Sequence, residues 1–431
     1  MKPLSCRDRL EQALTRIADP KGEGARACLT VYAETARAAA DAADARARHG
    51  VSLGPLDGAI VSIKDLFDVA GEPTRAGSKV LADEAAPAEA DATVVRRLRA
   101  GGAVIVAKTN MTEFALGAIG ANPHFGTPGN PRDRARVPGG SSAGAGVAAA
   151  DGMCEIAIGS DTGGSVRIPA ALCGIVGFKP SRQRISTAGA FPLSTTLDSI
   201  GPLARSVADC ARADAVMAGE DLVPAEPLAL AGLRFGIVQG FSLDNLDETV
   251  GSAFAAAIGR LEQAGVRLTR EPMPLFDEMR EVNAYGGIVQ PEACAIHKDR
   301  MARRAADIDP NIRARIERGC AVSAADYIGM LYARERLVRA MDRRLATFDA
   351  LIMPTSGIVA PTIAEVADPE IFAARNAMLL RNTSVGNFFD LCGISLPVPA
   401  PLPVGLMLVA RNGQDRMLLR IASAVEKMLA N

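Results

Sequence analysis

The chain has 431 residues, 48% of them apolar and 23% charged, with a formal net charge of -1. That balance supports a sizeable core and excludes a disordered chain, and near-neutrality leaves no electrostatic footprint for nucleic acid or an anionic membrane surface. The length fits either two or three average domains or one large α/β unit.

The first fifty residues read as two helices, the second Ala/Arg-rich over 25–48. A strand is expected over 58–63, a helix over 93–100, and a strand over 103–107 after Gly101-Gly102. Helix, turn and strand in succession is the α/β rhythm. It continues with a helix at 145–150, a buried strand at 155–158, helices at 166–172 and 207–217, and a strand at 233–238. Residues 248–264 have helical periodicity, 267–269 start a strand, and 272–309 read as irregular. A helical stretch over 324–347 leads to the apolar run 350–355; two late strands, 394–398 and 404–409, form a hairpin before a final helix over 414–429. The expected fold class is α/β, a single large domain over 1–431 with a central mixed β-sheet flanked by helices on both faces.

The N-terminus lacks the apolar stretch of a secretory signal, and no apolar run reaches the ~18 residues that span a bilayer. Eight scattered cysteines, Cys6, Cys28, Cys154, Cys173, Cys210, Cys294, Cys320 and Cys392, show no C-x-x-C pair. Buried free thiols and a cytoplasmic location are therefore expected.

Two serines sit in glycine-lined turns. Ser141 lies in Pro138-Gly139-Gly140-Ser141-Ser142-Ala143-Gly144, and Ser165 in Gly159-Ser160-Asp161-Thr162-Gly163-Gly164-Ser165-Val166-Arg167. The 48 basic residues divide into 40 arginines and 8 lysines, so Lys64, inside the apolar run Ala59-Ile60-Val61-Ser62-Ile63-Lys64, stands out. Arginine stays protonated at working pH, whereas a buried lysine can be driven toward neutrality and act as a base.

Other readings of these residues fit less well. Gly140-Ser141-Ser142-Ala143-Gly144 matches G-x-S-x-G, but no apolar strand precedes it and no histidine follows His297 to complete a triad. None of the lysines has a serine three positions earlier, as S-x-x-K requires, and no G-K-[ST] follows either turn. Of the three histidines, His49 and His297 read as surface or packed residues, while His124, just before the first serine turn, is expected with Met111 to line a pocket. Glycine-rich turns alone are weak evidence, and two loops with incidental serines remain an alternative on that ground.

The wider pattern resembles the amidase signature family. It includes Gly54-Pro55-Leu56-Asp57-Gly58 with Lys64-Asp65, Lys108-Thr109-Asn110-Met111-Thr112-Glu113-Phe114, both serine turns, Gly177-Phe178-Lys179-Pro180-Ser181 and Leu197-Asp198-Ser199-Ile200-Gly201-Pro202. The strong match covers about residues 50 to 215, and a weaker one reaches the end. The resemblance implies Ser165 as nucleophile, Ser141 on a cis peptide bond as proton relay, and Lys64 as base. It also implies an oxyanion hole from the N–H groups of Thr162, Gly163, Gly164 and Ser165, with Ser142 orienting the lysine and Asp161 and Arg167 bracing the turn. No metal or organic cofactor is implied.

The expected activity is hydrolysis of a small carboxylic amide to an acid and ammonia or an amine. The alternative is the catalytic subunit of a tRNA-dependent amidotransferase or of another multi-subunit amidase, although Ser181–Leu193 departs from the amidotransferase pattern. No nucleic-acid or membrane partner is expected; dimers are common in the family, which leaves a homodimer open. Met407 stands where a glutamine is usual, so the pocket wall is expected to differ. Arg182 and Arg184 are candidates to meet a charged substrate.

Overall fold

The computed structural model describes residues 4–284 and 286–430. Its strands are β1 (Cys28–Val31), β2 (Ile60–Lys64), β3 (Val104–Thr109), β4 (Ile156–Asp161), β5 (Val176–Lys179), β6 (Ser199–Ala204), β7 (Arg234–Gln239), β8 (Arg267–Pro272), β9 (Ala350–Pro354), β10 (Cys392–Val398) and β11 (Val404–Ala410). All join one mixed sheet in the order β1-β3-β2-β4-β6-β5-β10-β11-β9-β7-β8. β2 runs parallel to β3 and β4, and β7 parallel to β8 and β9, while the other pairings are antiparallel.

Every residue of β2, β3, β4, β9 and β11 is buried, as strands covered on both faces should be. The two-residue side-chain period divides the sheet between two cores. Val61, Ile63, Ile156 and Ile158 join one cluster with helices Thr93–Ala100, Val207–Ala218 and Asp415–Ala430. Ile60, Val104, Val106 and Ala157 join another with helices Cys6–Ala18, Ala33–Arg48 and Ala143–Ala150. Helix Ala143–Ala150 docks closely because it is made of small residues. A Cβ on Gly144 would stand 2.3 Å from the Ala27 carbonyl oxygen and 2.6 Å from the Asn110 nitrogen.

Several expectations are corrected. The single helix over 25–48 is interrupted by β1: Cys28-Leu29-Thr30-Val31 pairs antiparallel with β3, and its β-branched residues prevail over the surrounding alanines. The irregular stretch 272–309 contains helices Pro274–Val282 and Val289–Arg304. β5 and β6 are additions to the expected elements, since Gly201 and Pro202 argue against a central strand. Pro202 stands opposite Ile158 of β4, while β5 pairs only with Leu203 and Ala204.

Cys294 and Cys320 form a disulfide across helices Val289–Arg304 and Pro310–Cys320, while the other six cysteines are free and buried. The argument from free thiols to a reducing compartment thus applies to those six alone. Among the described residues no helix is long and apolar enough to cross a membrane.

Candidate active site

Lys64 ends β2, whose parallel pairing with β4 aligns Ile63 with Ile158. The carboxyl ends of these two strands therefore open side by side, the usual place for a ligand crevice in an α/β sheet. Lys64 is wholly buried, and its Nζ donates to Ser141 Oγ at 2.7 Å and to Ser160 Oγ at 2.9 Å. Burial pulls the amine down to about 7, against the opposing carboxylates of Asp198 and then Asp161. Desolvation thus wins over two attractive charges, and the amine is close to half neutral at physiological pH.

Ser141 and Ser142 precede the N-terminus of helix Ala143–Ala150, and the Gly140–Ser141 peptide bond is cis. The Ser141 carbonyl accepts from the Thr112 amide at 3.0 Å, and the Ser142 amide donates to the Ser165 carbonyl at 3.3 Å, which ties the two serine turns together. Ser142 Oγ donates to the Ser160 carbonyl at 3.3 Å. It therefore fastens the strand residue beside Lys64 and leaves direct contact with the amine to Ser141 and Ser160.

The second turn is built around a buried ion pair. Arg167 places Nη2 at 2.9 Å from Asp161 Oδ1 and Nε at 3.1 Å from Oδ2, with both side chains wholly buried. Asn387 Nδ2 donates to the Asp161 carbonyl at 2.8 Å and to Oδ1 at 2.9 Å. Burial raises the Asp161 carboxyl, but Arg167, with help from Lys179 and Asn387, more than reverses this and holds it at about 2.

Asp161 Oδ2 also accepts from the amides of Val166 and Arg167. Among the described residues nothing takes up the amides of Gly163, Gly164 and Ser165. Three consecutive donors are thus left for a ligand. Gly164 has φ +135°, and a Cβ there would lie 2.1 Å from Thr383 Oγ1, which itself donates to the Gly163 carbonyl at 2.7 Å. Only glycine fits that backbone and that gap. Thr162 Oγ1 donates to Asp198 Oδ1 at 2.5 Å, and burial raises this carboxyl to about 6.

Thr162, Gly163 and Ser165 line a cavity of about 1290 Å³, walled by helix Pro369–Phe388 and by the disulfide-linked helices Val289–Arg304 and Pro310–Cys320. Neither His124 nor Met111 is part of its lining. His124 Nε2 instead lies 3.1 Å from Glu113 Oε2, and Met111 is wholly buried in the core. His297 is buried with its ring centroid 3.9 Å from that of Phe114, neither ring nitrogen is hydrogen-bonded among the described residues, and burial lowers it to about 3. Arg184 is spent on Asp214 and Glu220, and Arg182 reaches the Thr195 carbonyl outside this cavity. Met407 packs its sulfur 3.3 Å from Arg167 Nη1 in the core and does not form the pocket wall. Sequence reasoning misses Ser160 because it passes as one more residue of the glycine-lined turn, whereas β4 extends through it and the β2–β4 register brings it to Lys64.

Comparison with known proteins agrees with this geometry. The Amidase family model matches residues 9–419. The chain is 37% identical to a 2-amino-5-chloromuconic acid deaminase of Comamonas testosteroni, over 91% of this chain and 86% of that protein. It is 36% identical to a glutamyl-tRNA(Gln) amidotransferase subunit of Anaeromyxobacter sp. (strain K), over 99% and 94%. A crystal structure of an amidase superposes with a TM-score of 0.88 at 34% identity, covering 99% of this chain and 96% of that one. The chain belongs to the amidase signature family.

Proposed function

We propose that the protein hydrolyses the C–N bond of a small carboxylic amide through an acyl-enzyme on Ser165. The observation that carries this reading is the buried amine of Lys64, drawn down to about 7 and hydrogen-bonded to Ser141 beside a turn with three free N–H donors. Ser165 Oγ attacks the amide carbon while its proton passes to Ser141, whose own proton passes to neutral Lys64. The carbonyl oxygen, now an oxyanion, is received by the amides at 163–165, where one well-aimed donor is worth ~10²–10³ in turnover.

The C–N bond then breaks, and the nitrogen takes the proton back from Lys64 through Ser141. Water attacks the resulting ester and gives its proton to Lys64 through Ser141; that proton returns by the same relay to Ser165 Oγ as the Ser165–acyl bond breaks and the acid is released. Among the described residues Ser165 Oγ makes no hydrogen bond to Ser141, and the relay requires the two hydroxyls to meet once substrate is bound, as catalytic hydrogen bonds commonly tighten in the Michaelis complex.

The test is ammonia release across a panel of small amides, with Ser165→Ala and Lys64→Ala each expected to lower kcat by ~10⁴ or more. Turnover surviving in Ser165→Ala would reassign the nucleophile. The similarity to an amidotransferase component supports a second reading. Ammonia release from glutamine only in the presence of partner subunits and charged tRNA would establish that reading instead.

A further inference from the structure

The cavity beside Ser165 is lined by four arginines, Arg280, Arg315, Arg318 and Arg381, against two acids, Asp244 and Glu317. Both acids are exposed, as is Arg318, and Glu317 is paired with Arg313 at 3.6 Å. Arg381 spends its donors on the carbonyls of Asp244 and Ser242, and Arg280 faces Asp277 at 3.3 Å. Arg315 differs from them. Its Nε is enclosed with no hydrogen-bond partner among the described residues, and no carboxylate pairs with it. A half-buried guanidinium that lines the cavity without an acceptor is costly, and an anion held in the cavity would offset part of that cost.

Arg318 follows three positions later on the same helix, Pro310–Cys320, a spacing that puts the two side chains on one face. Burial and then the Arg318 charge lower Arg315 to about 10, so Arg315 remains a cation at neutral pH and is repelled by Arg318 until an anion joins them. Glycine at position 319 lets the two helices of this wall close up, since a Cβ there would stand 2.1 Å from the Gln290 carbonyl oxygen. The Cys294–Cys320 bridge locks them together. The arginine pair thus stands on a braced wall of the same cavity that Ser165 lines.

We propose that Arg315 and Arg318 receive a carboxylate of the substrate, so that the amide turned over by this enzyme carries a net negative charge with no compensating ammonium. This rests on the amidohydrolase reading above. The missing ammonium follows from the lining: no buried carboxylate of the cavity is available to hold one, whereas two cations await an anion. A zwitterion such as glutamine is therefore a poorer fit than the same chain without its amino group.

The experiment compares glutaramate, glutaramide and glutamine, with succinamate and adipamate to vary chain length. Wild-type kcat/KM is expected to favour the amido acids over both the neutral diamide and glutamine by roughly 10- to 100-fold. Arg315→Gln should abolish most of that preference by raising KM for the amido acids more than for the diamide, and be partly rescued by Arg315→Lys. Arg318→Gln should act in the same direction and less strongly. Glutarate, which cannot be hydrolysed, supplies a readout free of turnover: it should raise the melting temperature of wild type and not of Arg315→Gln.

Equal hydrolysis of glutaramide or glutamine by wild type overturns this inference and leaves the hydrolase reading standing. Glutarate binding that depends on Arg315, without hydrolysis of any amide, sustains the anion site and overturns the hydrolase reading. Absence of both overturns both.

Discussion

Ser160 Oγ lies 2.9 Å from Lys64 Nζ, so the amine is held by a hydroxyl of the neighbouring strand as well as by Ser141. With Ser160 accepting one of its hydrogens, the neutral amine can turn its lone pair toward Ser141, whose proton it takes. Ser160→Ala is expected to lower kcat about 5- to 10-fold with little change in KM or melting temperature, the scale of one net hydrogen bond. Steady-state kinetics beside a thermal melt would check this, and an unchanged kcat would remove Ser160 from the base's support.

The pH profile should carry the signature of Lys64. The neutral amine is the working form, so kcat/KM should rise about tenfold per pH unit below about 7 and level off above it. Asp198 opposes the lowering of Lys64. Asp198→Asn removes that negative charge, and the rising limb should move to lower pH. A shift to higher pH would mean that a different group titrates.

Gly164→Ala puts a methyl group 2.1 Å from Thr383 Oγ1 at φ +135°. The turn must then rotate, and its free amides lose their common aim. Activity should fall by ~10²–10³, and acylation of Ser165 by a fluorophosphonate, read by mass spectrometry, should slow in parallel.

Asp161→Asn leaves Arg167 buried without its counter-charge, and breaking such a pair typically costs ~3–5 kcal/mol. Urea unfolding should report a loss of this size. The carboxyl is held at about 2, below its ordinary value, so its contribution is full above the usual aspartate range and is lost as pH falls toward 2. The stability gap between wild type and Asp161→Asn should therefore narrow only in strong acid.

Cys294 and Cys320 close a loop with a sequence separation of 26, for which chain entropy suggests about 3.5 kcal/mol. The denatured, unreduced protein should show six titratable thiols, rising to eight after reduction. Reduction should lower the melting temperature and raise KM, because the bridged helices form one wall of the cavity. A melting temperature insensitive to dithiothreitol would argue against the bridge.

Much of the site could be read in the chain because its chemistry restricts residue choice. Ser141 and Ser165 sit in turns where glycine is required, and Lys64 is a lysine in an apolar strand of an arginine-rich protein. What depends on tertiary pairing stayed hidden. Ser160 reaches the amine only through the β2–β4 register, and the N–H groups at 163–165 are left free only because Asp161 captures the next two. His124, close in sequence to the serine turn, is drawn away by buried Glu113. Among the elements, β1 is masked by flanking alanines and β6 by its proline, while helix Val289–Arg304 is obscured by a polar composition with few buried positions.

The long helix Pro369–Phe388 serves two masters. Phe372, Asn376 and Leu380 line the ligand chamber, while Thr383 and Asn387 grip the Gly163 carbonyl and Asp161. Reshaping the chamber from that side would also tug on the amides that face the reacting carbonyl. Divergence toward new acyl groups is thereby channelled to the wall made by Pro310–Cys320, whose cavity-lining side chains make no hydrogen bond to the Asp161 turn among the described residues.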